Sequence, residues 1–216
     1  NDTVSSGTFL SSRYSGEYIK FGNEENNLYR IVSHENGKGT KITSAKPLKS
    51  SGTFITSTFG SNTTFSSTNT IGRFLNGEYL TNYVDSTYRE MIEDSTTWYL
   101  GTVGSGSSYK LAKYADTNLS STTGATAESK VGLLRLGELM SGQFDGTGNN
   151  VVYWTLTPYS ASGVVVVDSY GEASGSTASS LPFNAISIRP SLNLKSTVQI
   201  ANGDGTLNSP FELSVQ

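Results

Sequence analysis

The feature that most constrains what this chain can fold into is the spacing of its apolar residues: short runs separated by long stretches of Ser, Thr, Gly and Asn. No uninterrupted apolar run is longer than that from Val164 to Val167, far short of the ~20 residues a bilayer-spanning helix requires. The amino end has no basic region followed by an apolar stretch, so no signal peptide is expected in this segment. The pattern asks for short strands and helices joined by long loops.

Composition decides whether such a chain orders at all. There are 34 Ser, 26 Thr and 23 Gly among 216 residues, a level met in disordered linkers, but disordered chains lack aromatics. Here 12 Tyr, 9 Phe and 2 Trp are spread along the whole length and provide apolar area for a core. A chain of this size buries most of its unfolded surface without covalent staples. One domain over residues 14–216 is therefore expected, behind a lead-in at 1–13.

Charge and cysteine content narrow the function classes. With 15 Lys+Arg against 18 Asp+Glu the net charge is -3, which offers no basic footprint for phosphate backbones. Nucleic acid is not expected as a partner. Charged residues are 15% of the chain, against roughly 25% in typical soluble domains, a neutral polar surface suited to life outside the cell. Cysteine is absent, which excludes disulfides, thiolate nucleophiles and zinc–thiolate sites, and His34 is the single histidine. No metal or other cofactor is expected.

Tyr18 to Phe21 and Leu28 to Val32 are β-rich runs split by an Asn/Glu turn, and Thr40 to Thr43 follows as a third strand of a meander. Residues 44–70 read as a long ordered loop anchored by Phe54, Ile55, Phe59 and Phe65. Ile71, Phe74, Leu75 and Tyr79 recur at the helical period, predicting a helix over Ile71 to Tyr83 with Thr70 as its cap. A second short helix is expected near Tyr88 to Glu93, and a helical turn or two at Leu136 to Met140. Strands are expected at Thr96 to Gly101, Lys130 to Leu134, Val151 to Thr157, Gly163 to Asp168 and Ala185 to Leu194, with Pro158 ending the third. Strands, then helices, then strands indicate α+β.

Several segments arrive in a familiar order: YIKFGNEENNLYRIVS, IGRFLNGEYL, Trp98-Tyr-Leu-Gly101, KVGLL, Trp154-x-Leu-Thr-Pro158, Ile188-Arg-Pro-Ser-Leu-Asn-Leu194 and NGDGTLNSPFEL. Together they span roughly Tyr14 to Leu213. The chain resembles surface-protein modules of Gram-positive bacteria, which in turn resemble the C-type-lectin-like fold of sulfatase-modifying factors and phage tropism determinants. The resemblance implies a twisted antiparallel sheet, two helices and long ordered loops that display a recognition surface. Leu156 departs from the pattern, since related modules often carry an arginine there. The cysteine or metal chemistry of the sulfatase-modifying enzymes does not carry over to a chain without cysteine.

Each candidate site also has a plainer reading. His34 stands in a turn-like HENGKG, and Glu24-Glu25, Glu90/Glu93/Asp94 and Asp168/Glu172 are acid pairs of a kind common on surfaces, so no enzyme is expected. The turns at Asp145 and Asp204 are oxygen-rich but lack calcium-loop spacing. Lys20 or Lys195 facing Asn184 or Asn193 would allow covalent self-stapling, against the commoner reading of solvated lysines. A binding face is expected at Tyr159, Ser160, Ser162, Asp168, Tyr170 and Glu172, where Tyr flanked by Ser and Gly resembles paratope chemistry, with Trp98 as a further contact. Trp154, between Val152 and Leu156 in strand alternation, is expected in the core. The expected role is non-catalytic recognition of an extracellular protein or glycan by a monomeric domain of a larger cell-wall-associated adhesin. The competing role is a structural spacer in a surface stalk.

Overall fold

The run Val164 to Val167 is buried at every position because both faces of its strand are covered. Val164 and Val166 join the main core cluster, while Val165 and Val167 join a second one with Leu134, Leu139 and Met140. Such a strand reads as a continuous apolar run instead of an alternating one. The same alternation separates Trp154 from Tyr153. Trp154 faces the main cluster, its ring 5.5 Å from that of Phe59 and its Nε1 donating to the Ser57 carbonyl at 2.9 Å, whereas Tyr153 faces the second cluster.

The structure, a computed structural model, describes residues 4–34, 38–101, 103, 109–110, 125–141, 151–177 and 186–215. One sheet runs in the order Tyr18–Lys20, Leu28–His34, Thr40–Ser44, Ser191–Leu194, Val131–Gly132, every neighbour antiparallel. The other runs Thr56–Ser57, Ile186–Ser187, Tyr153–Pro158, Gly163–Val167, Glu172–Thr177, Tyr109–Lys110, antiparallel except where Tyr153 pairs with Ser187. Three ribbons complete it: Lys49–Ser50 with Thr53–Phe54, Thr96–Tyr99 with Thr126–Ser129, and Val198–Asn202 with Glu212–Val215. The described residues form four short α-helices, Thr70–Leu75, Glu78–Asn82, Ser86–Arg89 and Leu136–Ser141. The fold is α+β and mainly β.

The segment expected as one strand from Ala185 to Leu194 serves both sheets. Ile186–Ser187 belongs to one and Ser191–Leu194 to the other, and Ile188, Arg189 and Pro190 carry the chain across. Pro190 cannot donate to a ladder, so the strand breaks there. The buried Arg189 guanidinium secures the crossing, with Nε donating to the Ser44 carbonyl at 2.7 Å and Nη1 to the Tyr153 hydroxyl at 3.3 Å. Leu156 is fully buried among apolar neighbours of the main cluster. That cluster draws Ile31, Ile42 and Leu192 from the first sheet and Trp154 and Val164 from the second, so the two sheets share one core.

Other expectations are corrected. The helix expected over Ile71 to Tyr83 is broken at Asn76-Gly77, and its cap is Asn69 instead of Thr70, since the Asn69 side chain accepts from Gly72 N at 2.8 Å. Residues 44–70 contain three short strands as well as loop. One of their turns, Ser51-Gly52, has φ of 49° and 80°, the two-residue hairpin geometry, and the Glu25 carboxylate accepts from both amides at 2.9 and 2.7 Å. Residues 173–177, a Ser/Gly-rich stretch outside the expected strands, form a strand in register with Gly163–Val167. Pairing with a buried valine strand outweighs their weak intrinsic preference. The lead-in is tied down too: Gly7 N donates to the Ile200 carbonyl and Ile200 N to that of Thr8, both at 2.8 Å, and Leu10 is buried.

Candidate functional site

The strand Gly163–Val167 leaves a turn at each end, and the two turns divide the residues expected to form one face. At the far end the Asp168 carboxylate Oδ1 accepts from Tyr170 N and Glu172 N, both at 2.9 Å, and Gly171 N returns to the Asp168 carbonyl at 3.0 Å. Gly171 has φ of 74°, a left-handed conformation that glycine adopts without strain. The outcome is a fixed turn with Tyr170 projecting from it, its side chain 90% exposed.

At the near end Tyr159 N and Ser160 N both donate to the Gly163 carbonyl, at 2.8 and 3.2 Å, and Gly163 N donates to Ser160 Oγ at 3.1 Å. Ser160 and Ser162 are exposed, but Tyr159 is half-buried against the second core cluster. A five-residue strand separates the two turns by roughly 16 Å. Asp168, Tyr170 and Glu172 are therefore together, and Tyr159, Ser160 and Ser162 form a separate rim.

Trp98 leaves the expected surface set altogether. It is fully buried in the main cluster with Nε1 donating to the Ser129 carbonyl at 3.1 Å. Thr96 and Trp98 share the inward face of their strand, so strand alternation already carried this signal. Its ring lies against Gly132, where a Cβ would stand 2.6 Å from ring carbons.

His34 ends a strand instead of sitting in a turn, and both ring nitrogens are engaged. Nε2 donates to the Arg13 carbonyl, which can only accept, and Nδ1 lies 2.9 Å from the Thr40 hydroxyl. That arrangement leaves no lone pair to activate a serine. The Asp204 carboxylate is held below its ordinary range by Thr206, whose hydroxyl donates at 2.6 Å and whose amide donates at 3.0 Å. Among the described residues no three or more His, Asp or Glu side chains gather into a metal-binding group. The Asp145 turn and Asn184 lie outside the described residues.

Two features escaped the sequence reading. A polar cleft of about 320 Å³ lies between Lys20, Asn27, Asn202, Asn208 and Glu212, and a second of about 230 Å³, which also includes Asn27, reaches Lys46 and Pro47. Their asparagines carry only a turn signal in sequence. The other is a buried charge cluster. Lys41 Nζ donates to Glu138 Oε2 at 2.9 Å, and Glu138 Oε1 accepts from Arg135 N at 3.2 Å and lies 3.3 Å from Arg135 Nη1. Burial alone would push the Glu138 carboxyl up, but Lys41 and Arg135 outweigh it and hold it below its ordinary value. Lys41 was unremarkable in sequence because it sits in a short Thr/Ser strand. All five positions of that strand are buried, and Lys41 is covered by Glu138 of the Leu136–Ser141 helix and by the Trp98 ring.

Comparison with known protein families, curated proteins and solved structures finds no match to this chain. Among the described residues no helix is long and apolar enough to cross a membrane.

Proposed function

We propose that this chain is a non-catalytic ligand-binding domain of C-type-lectin-like type, part of a Gram-positive cell-surface adhesin that recognises an extracellular protein or glycan. The observation that carries this reading is the Tyr170 turn. Tyr170, 90% exposed, projects from a turn whose backbone is pinned by two hydrogen bonds to Asp168, so a ligand meets an aromatic ring on backbone whose ordering entropy has already been spent in folding.

The spacer reading draws on a different observation. Phe9, Leu207 and Val215 are exposed apolar side chains away from the Tyr170 turn, of the kind a neighbouring domain covers. A glycan and matrix-protein array probed with the isolated domain separates the two. Specific binding that Tyr170→Ala weakens and Tyr159→Ala leaves intact supports the adhesin. No binding to any member, with the domain folded, supports the spacer.

A further inference from the structure

We propose that Lys41 and Asn193 are joined by an intramolecular amide bond between their side chains, formed with Glu138 as the proton carrier. Lys41 and Asn193 are directly opposed in the antiparallel pairing of Thr40–Ser44 with Ser191–Leu194. Opposed residues share a face with Cβ atoms about 5 Å apart, within the span of a lysine chain condensed onto a carboxamide. Both are buried, at 5% and 4% exposure, and the third group is in place, since Lys41 Nζ donates to Glu138 Oε2 at 2.9 Å. The Nζ also lies 5.0 Å from the centre of the buried Trp98 ring. This shielded setting penalises an ion pair and narrows its advantage over the neutral amine and acid.

The step needs no oxidant or other reactant. Lys41 passes one ammonium proton to Glu138, and the freed Nζ lone pair attacks Asn193 Cγ, forming the N–C bond and placing charge on the carbonyl oxygen. Glu138 gives its proton to the departing amide nitrogen and takes one from Nζ. The C–N bond of the original carboxamide breaks, and the departing ammonia takes the remaining proton from Glu138 and leaves as ammonium, so Glu138 ends as a carboxylate. Once Lys41 has lost its charge, Arg135 still balances the Glu138 carboxylate, so the reaction leaves no buried charge without a partner. The lysines singled out from sequence are placed differently: Lys20 is exposed opposite Leu28, and Lys195 lies beyond the paired strand.

Intact-mass spectrometry of the denatured full chain, followed by peptide mapping, tests this. The expected result is a chain lighter than its sequence by one ammonia, with a branched peptide joining Lys41 to Asn193, while Lys41→Arg and Glu138→Gln appear at their own sequence masses. The wild-type chain at its full sequence mass would overturn the proposal. So would an ammonia loss that maps to a succinimide at Asn76-Gly77 or Asn202-Gly203 instead of the Lys41–Asn193 pair. A branched peptide persisting in Glu138→Gln would overturn the role given to Glu138.

Discussion

Tyr29 and Tyr79 show how much a single contact can decide in this core. Both are fully buried, and their hydroxyls meet at 2.5 Å, each being the other's means of satisfying a polar group in an apolar setting. Tyr29→Phe should cost about 1–3 kcal/mol in urea unfolding because it orphans the Tyr79 hydroxyl, and the double Phe variant should recover much of that loss. Burial raises the ionisation of both above the ordinary tyrosine value near 10. A raised folded value means their contribution is present in full below that pH and is lost as pH rises through the folded values. Ultraviolet titration should therefore show these two tyrosinates only when the chain unfolds in alkali. Their inward orientation was legible, from strand alternation with Ile31 and from the helical period with Leu75. Their pairing was not, because 50 residues separate them and only the packed fold chooses the partner.

Elements were readable where their own residues carry a strand or helix signal and obscure where a neighbouring element imposes the order. The meander from Tyr18 to Ser44 and the strands at Tyr153 and Gly163 follow from β-rich runs and turn residues, and they stand close to where the sequence puts them. The strand Glu172–Thr177 was missed because its Ala, Ser and Gly carry no strand signal of their own and its order comes from the valines beside it. The helix break at Gly77 was hidden because an apolar period persists across it. Close packing of elements gives a sharper test. Gly132→Ala would drive a Cβ to 2.6 Å from the Trp98 ring, in a strand held on its other side by Ser191, so thermal unfolding should show a loss of about 1–3 kcal/mol. Asp168→Ala should leave the overall stability nearly intact while two amides of its turn lose their shared acceptor, seen as faster amide hydrogen exchange at Tyr170 and Glu172.

At the scale of the whole molecule, two sheets share one core, and the segment from Ile186 to Leu194 stitches them together. That crossing was invisible in the sequence, where it reads as a single strand, and so was the buried charge cluster of Lys41, Glu138 and Arg135. The sites followed the same rule. The exposed turn position of Tyr170 was legible from its Ser/Tyr/Gly sequence, but its separation from Tyr159 at the other end of a strand and from Trp98 inside the core was not. The central claim is that this rigid scaffold presents the Tyr170 turn to a ligand. Its most direct test is the affinity of the array-selected ligand for the wild-type domain and for Tyr170→Ala, measured by titration with both proteins shown to be folded. Truncation of a true contact residue should weaken binding by about tenfold or more, and equal affinity of the two proteins would contradict the account.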